Sequence, residues 1–276
     1  MNLPASAYRC YRHPDREAYI SCQRCERLIC PDCMRDASVG FQCPTCVTEG
    51  TKSVRSARTM AGGKVSQRDG VVSMTLIGVN VAAFVLQLAT GDRSGAIYQH
   101  GAMQSYAVAD GDYWRLLTAA FLHGSVLHIA FNMYALYLFG PFVERALGIV
   151  RFVAAYITMA IVSSVFVYVL EVPSVPTIGA SGAVFGLFGM ALILLLRAKQ
   201  DVRQLLVLLA INAVISTQGN ISWQGHLGGF VSGLVLGAAV AYAPRERKQV
   251  VQVLAFSLMW VAVVATVVVR TSLLTG

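Results

Sequence analysis

Five polar side chains stand inside or at the ends of long apolar runs of this 276-residue chain: His123, His128, Asn132, Ser181 and His226. Polar and ionisable groups in such surroundings are expensive and mark function. A serine hydroxyl becomes a nucleophile when a base takes its proton, and histidine is a common base. Ser181 and His226 therefore supply the minimum for nucleophilic catalysis. Neither of the apolar segments that carry them contains Asp or Glu, so a Ser–His dyad is expected rather than a triad. His128 and Asn132 are four apart, hence on one helical face. Both can donate hydrogen bonds to an oxyanion, with the Ser181 backbone N–H as a further donor.

A second reactive set lies near the N-terminus. All seven cysteines fall in the pairs Cys10-x2-His13, Cys22-x2-Cys25, Cys30-x2-Cys33 and Cys43-x2-Cys46. With His13 they make eight ligands, enough for two tetrahedral zinc ions. A disulfide knot is disfavoured by the odd cysteine count and by the lack of a secretory signal ahead of the cluster. The short interval from Cys25 to Cys30 favours a cross-braced arrangement, pairs one and three on one ion and pairs two and four on the other. Spacing alone leaves that connectivity open. The pattern over residues 10–46 resembles B-box-type zinc fingers. That resemblance implies a structural or interaction module with a cytosolic protein partner. A catalytic zinc keeps an open position, and eight good ligands leave none, so no metal is expected to take part in catalysis. With so little apolar content the module needs its metal to fold.

The elements that hold the Ser and His residues follow from composition. Hydrophobic residues make up 56% of the chain and charged residues 13%, with a mean hydropathy of +0.60. A soluble domain carries about 25% charged residues, so a soluble protein is excluded. The net charge of +8 points to topology and anionic lipid, not to nucleic acid. Half of the charged residues lie in the first 70 positions, which gives a polar head and an apolar body. The expected division is a two-zinc finger at 1–47, a basic linker at 48–70, a six-span core at 71–243, and a cytoplasmic loop with a seventh span at 244–276. Lys52, Arg55, Arg58, Lys64 and Arg68 make the linker a solvated tether or a contact with anionic lipid.

A span needs about 20 apolar residues. Candidates lie near 71–90, 122–142, 151–170, 180–196, 203–218, 224–243 and 249–269. The last three are separated by the polar break Ser216-Thr217-Gln218-Gly219-Asn220 and by a basic loop. With a cytoplasmic head, the inner loops carry Arg145, Arg151, Arg197, Lys199, Arg203, Arg245, Arg247 and Lys248. The outer side carries only Arg93, Arg115 and Arg270. Positive residues favour the cytoplasmic side, so the N-terminus is expected inside and the C-terminus outside. Spans two, four and six then run inward, and His123, His128, Ser181 and His226 gather near their outer ends. The excess of Arg over Lys, 18 to 4, points to a GC-rich bacterial source and hence to a bacterial cell membrane.

Glycines indicate which spans touch. Gly225, Gly229, Gly233 and Gly237 recur every fourth residue in span six, and Gly182 and Gly186 do so in span four. Small residues at this spacing let membrane helices approach closely. Packing these rows brings Ser181 toward His226.

At this point the chain resembles the rhomboid intramembrane serine proteases over about residues 71–243. Gly179-Ala180-Ser181-Gly182 is similar to the family's G-x-S-G nucleophile motif, and Gly225-His226-Leu227-Gly228-Gly229 to its catalytic-histidine span. His123, His128 and Asn132 resemble its second-span motif, Tyr113-Trp114-Arg115 its first-loop Trp-Arg pair, and Glu144 the glutamate that anchors that loop arrangement. The resemblance implies an all-α membrane protein: a six-helix rhomboid core plus a seventh C-terminal helix, behind a zinc-stabilised cytosolic domain. It implies cleavage of transmembrane segments of other proteins in the lipid bilayer, with Ser181 as nucleophile and His226 as base. His128 and Asn132 would shape the oxyanion hole, and His123, Trp114, Arg115 and Glu144 would be structural. Phe185 stands where some members carry a tyrosine four residues after the nucleophile; its ring can stack on the histidine but has no hydroxyl.

Other readings compete. Glu144 can be drawn as a proton-relay carboxylate, but Arg145 beside it favours a helix end and a structural hydrogen bond. A transporter predicts internal repeats and a polar path across the bilayer; the polar groups instead cluster on one side. A non-catalytic helix-binding relative should have lost Ser181 or His226. H-E-x-x-H, which a membrane metalloprotease needs, is absent, as is an Asp pair within two spans.

Overall fold

The computed structural model describes residues 8–53, 58–63, 69–216 and 221–276. They belong to two units, Met1–Ala57 and Arg58–Gly276. In the first, the cysteines themselves are the interior: Cys10, Cys22, Cys30, Cys33, Cys43 and Cys46 are buried with Ala18 and Ile29. Around them run two antiparallel hairpins, β1 (Ile20–Ser21) with β2 (Leu28–Ile29) and β3 (Arg35–Asp36) with β4 (Phe41–Gln42). Glu26 and Gly40 turn the chain with φ of 60° and 62°. Helix α1 (Pro44–Ser53) closes the unit. It runs past residue 47, so the first part of the expected tether is helix. Arg55, Lys64 and Arg68 of that tether lie outside the described residues.

The second unit is helical. Helix α2 (Val71–Ala89) leads into three short helices, α3 (Ala96–Gly101), α4 (Ser105–Ala109) and α5 (Arg115–Thr118). Then come α6 (Val126–Leu147), α7 (Ile149–Leu170), α8 (Ser181–Arg197), α9 (Arg203–Ser216), α10 (Trp223–Ala241) and α11 (Lys248–Thr275). Five of these, α2, α6, α7, α10 and α11, are long and apolar enough to cross a membrane. The other two expected spans are short: α8 has 17 residues and α9 has 14. At 1.5 Å per residue they reach about 26 Å and about 21 Å, less than the roughly 30 Å of hydrocarbon. The polar break at 217–220 that divides α9 from α10 lies outside the described residues.

Local chemistry sets the ends. Ser125 caps α6 by accepting from the His128 N–H at 3.1 Å, so the helix starts three residues after His123 rather than at residue 122. Gly148, with φ of 82°, both ends α6 and starts α7. Ser222 caps α10 by accepting from the Gly225 N–H.

Helix α8 is the centre of the bundle, buried on nearly every side. Its glycine row meets that of α10 backbone to backbone. A methyl group at Gly229 or Gly233 would overlap the carbonyl oxygen of Gly182 or Gly186. On the α7 side, Gly182 leaves room for Ser163 and Gly186 for Met159. Helix α11 fastens to α7 through Trp260 Nε1 donating to Thr158, and through Arg270 Nε donating to the Tyr168 carbonyl.

Residues 58–63 are part of this unit, not a solvated tether. Ala61 is buried and its N–H donates to the Ala146 carbonyl at 3.0 Å. Lys248 Nζ donates to the Met60 carbonyl at 2.7 Å, and Gln252 Nε2 to that of Ala61 at 3.2 Å. The strap thereby joins the end of α6 to the start of α11.

Candidate active site

Ser181 is the first residue of α8, and its backbone N–H is among those a helix start leaves unpaired. Gly179 precedes it with φ of 131°, a conformation natural to glycine. A methyl at Gly179 would sit 2.8 Å from Cε1 and Nε2 of His128 and 3.6 Å from Ser181 Oγ. The chain therefore passes between the histidine and the serine hydroxyl with no space for a side chain. The first loop holds this passage: the Gly179 N–H donates to the Ala119 carbonyl at 2.9 Å, and Met103 and Thr177 exchange backbone hydrogen bonds.

His128 Nδ1 accepts from the Gly124 N–H at 3.3 Å. A neutral imidazole that accepts at Nδ1 carries its hydrogen on Nε2, so the ring nitrogen toward Gly179 is a donor. Asn132, one turn on, commits one amide hydrogen to the His128 carbonyl at 2.9 Å. Its second hydrogen is the one that can serve an oxyanion.

His226 lies in the first turn of α10, next to Gly225, whose carbonyl oxygen faces Gly182 at the contact of the two glycine rows. Phe185, one turn beyond Ser181 on the same face of α8, stacks on the His226 ring. Ser181, His128 and His226 are all half-buried, open enough to meet a substrate. No hydrogen bond joins Ser181 to His226 in this arrangement. Such catalytic contacts are often long without substrate and tighten in the complex. The hydroxyl that does touch the His226 ring is that of Ser216, which the sequence reading treated only as part of a polar break.

The remaining residues of the expected site bond to the surrounding loops and helices. Arg115 is buried and donates to the Asp112 carboxylate at 2.8 Å and to the carbonyls of Gln99 and Ala102. Trp114 Nε1 donates to the His100 carbonyl. His123 is fully buried; its backbone N–H donates to Gln87 Oε1 and its carbonyl accepts from Gln87 Nε2, which pins the loop to α2. Its ring sits edge-on to Phe84 and to His128.

Glu144 bonds to the start of α2 and not to the first loop. Its carboxylate accepts from the N–H groups of Val72 and Ser73 and from the Ser73 hydroxyl, at 2.8 to 3.1 Å. Helix α2 starts after Gly70, which has no side chain to cap it, and Glu144 supplies the cap. It stands 16 residues from His128 on α6, about 24 Å along the axis. Glu144 is therefore far from Ser181 and His226.

In the first unit the ligands converge as two sets, Cys10, His13, Cys30 and Cys33, and Cys22, Cys25, Cys43 and Cys46. This is pairs one and three together, and two and four together. Sulfurs 2.3 Å from a tetrahedral zinc stand about 3.8 Å apart, and Cys25 Sγ lies 3.8 Å from Cys43 Sγ. His13 Nδ1 is 3.3 Å and 3.4 Å from the sulfurs of Cys30 and Cys33. Backbone N–H groups of Cys43 and Cys46 donate to the sulfurs of Cys22 and Cys43. Burial pushes the Cys22 thiol up, but the N–H groups of Cys43, Arg24 and Cys25 outweigh it and bring it down to about 6. Cys33 and Cys46 are instead raised to about 11 and about 12, by burial and by neighbouring thiols. Three or four crowded thiolates need a cation before all can ionise. Both clusters can therefore hold a metal ion.

Comparison with known proteins gives a consistent picture. Residues 110–243 match the family described as Rhomboid domain. The chain is 37% identical over 147 residues to the Putative rhomboid protease YdcA of Bacillus subtilis, covering 51% of this chain and 73% of that protein. It is 34% identical over 163 residues to the Rhomboid protease GluP of the same organism, covering 57% of this chain but only 32% of that protein. Similarity extends to the RHOMBOID-like protein 6, mitochondrial, of Arabidopsis thaliana, 31% identical over 163 residues, 56% of this chain and 53% of that one.

Proposed function

Because the chain belongs to the rhomboid family, we propose that it is an intramembrane serine endopeptidase that cleaves the transmembrane segments of membrane proteins through a Ser181–His226 dyad. The observation that carries this reading is the face-to-face stack of Phe185 on His226 beside the Gly182–Gly229 backbone contact. That contact sets the first turns of α8 and α10 side by side, with Ser181 and His226 at their starts.

In this mechanism His226 takes the Ser181 proton as the hydroxyl attacks the scissile carbonyl. The oxyanion that forms receives the Ser181 N–H, the His128 Nε2–H and the second Asn132 amide hydrogen. Donors already aimed at the developing charge cost no reorganisation. His226 then gives its proton to the leaving amine, and a water repeats the sequence on the acyl-enzyme. No side-chain carboxylate takes part. A substrate helix must unwind to expose its peptide carbonyl, which favours sites with small residues near helix breakers.

The remaining parts of the reading follow the charge asymmetry and the ligand chemistry. The head is cytosolic, holds two structural zinc ions and serves regulation, recruitment of a cytosolic protein partner or stabilisation; the C-terminus lies outside, and the membrane is a bacterial cell membrane. Thiolate–imidazole sets of four ligands are those of structural zinc.

The test is cleavage of a single-span substrate by purified full-length protein in detergent, with Ser181→Ala and His226→Ala as folded controls. Labelling of Ser181 by a fluorophosphonate is followed in parallel. Cleavage and labelling by the unchanged protein alone support the dyad. Equal cleavage by all three proteins would sink it.

A further inference from the structure

The Nδ1 of His226 has a polar partner of its own in Ser216. Ser216 ends α9 and is 6% exposed. Its Oγ lies 2.8 Å from His226 Nδ1. The same Oγ lies 2.7 Å from the carbonyl oxygen of Asn212, one turn back. A carbonyl oxygen only accepts, and a serine hydroxyl has a single hydrogen. That hydrogen is committed to Asn212, so Ser216 turns a lone pair toward the imidazole. The 2.8 Å contact is then a hydrogen bond only if Nδ1 carries the hydrogen. In a neutral ring this leaves Nε2 bare.

We propose that Ser216 is a positioning residue: it holds His226 in the Nδ1–H tautomer, so that Nε2 is the free base. The proposal rests on the reading of Ser181 and His226 as the reacting pair, but its physical content is separate. Phe185 fixes the plane of the ring and Ser216 fixes its rotation within that plane. When the ring becomes an imidazolium, the Nδ1–H···Oγ bond persists and spreads the charge onto a dipole. A hydroxyl does this without placing a carboxylate in the membrane, where a charge is costly. The partner also comes from a different helix than the histidine. Only Leu205 and Ser216 of α9 are buried, so seating the end of α9 and setting the tautomer are one event.

The experiment uses full-length protein in micelles with 15N-labelled histidine, His226→Ala serving to assign the signal. Unchanged protein should show hydrogen on Nδ1 of His226 and none on Nε2. Ser216→Ala should move the hydrogen to Nε2 and lower kcat about 10- to 100-fold, by analogy with the orienting partners of metal-bound histidines, with KM unchanged. Ser216→Thr, which keeps the hydroxyl, should restore both the tautomer and most of kcat. An Nε2–H ring in the unchanged protein overturns the proposal, as does a Ser216→Ala protein with unaltered tautomer and kcat. Should Ser216→Ala fail to fold, the unchanged and Ser216→Thr spectra decide. Cleavage that survives Ser181→Ala overturns the reacting pair instead, and leaves the tautomer result to stand by itself.

Discussion

Phe185 lies flat on His226, with ring centroids 4.0 Å apart and planes 8° from parallel. The stack replaces solvent on one face of the imidazole and keeps the ring from tilting. Phe185→Leu should keep the volume but lose the flat surface, lowering kcat about tenfold or more, since small misplacements of a reacting group are expensive. Phe185→Tyr should keep activity. Turnover of a single-span substrate, corrected for folded protein, measures both.

Gly179 is the tightest point of the site. With φ of 131° and His128 only 2.8 Å from any added methyl, Gly179→Ala strains the backbone and displaces the histidine ring together. Backbone strain of this kind costs about 1–3 kcal/mol. The expected outcome is a lower unfolding temperature and a loss of turnover much larger than the loss of folded protein. A variant that turns over normally would show that His128 does not serve the oxyanion.

Glu144 is a cap, and its removal should read as a cap. Glu144→Ala leaves the Val72 and Ser73 N–H groups and the Ser73 hydroxyl without their acceptor. Buried donors left unsatisfied cost about 1–3 kcal/mol, so thermal unfolding in detergent should shift downward. The turnover of the molecules that remain folded should be unchanged, because the carboxylate lies at the far end of α6 from His128.

Metal content gives a fourth expectation. Full-length protein should hold two zinc ions per chain by elemental analysis. Chelation should unfold residues 10–46, seen as loss of protease resistance in that segment, while leaving the helical unit intact. Because the two ligand sets interleave along the chain, Cys22→Ser with Cys25→Ser should lower the metal content below one ion per chain. A clean loss of one ion would mean that the two sites fold separately.

Much of this was legible in the residues alone. Ser181 and His226 are conspicuous because polar groups are rare among so many apolar ones, and the glycine rows betray a helix contact by their period of four. The interleaved ligand pairing could be argued from the four residues between Cys25 and Cys30. Ser216 was not legible in this sense. A serine at the end of an apolar run is the ordinary sign of a helix terminus, and its partner His226 is reached only because the chain doubles back. The partners of Glu144 are not legible either, since its bonds span 71 and 72 positions and no periodicity links α6 to the start of α2. The short fourth and fifth spans were legible as well: 180–196 and 203–218 differ from α8 and α9 by at most two residues at either end.

The strap at residues 58–63 determines where the finger can be cut away. A deletion beginning the chain at Val71 would look like the natural core on hydropathy alone. It would also strip Ala61 from its buried seat and leave the Ala146 carbonyl, Lys248 and Gln252 without the backbone groups they now bind. Loss of activity in such a truncation would then report a broken bundle and be mistaken for control by the cysteine-rich head. The informative shortened protein starts before Arg58.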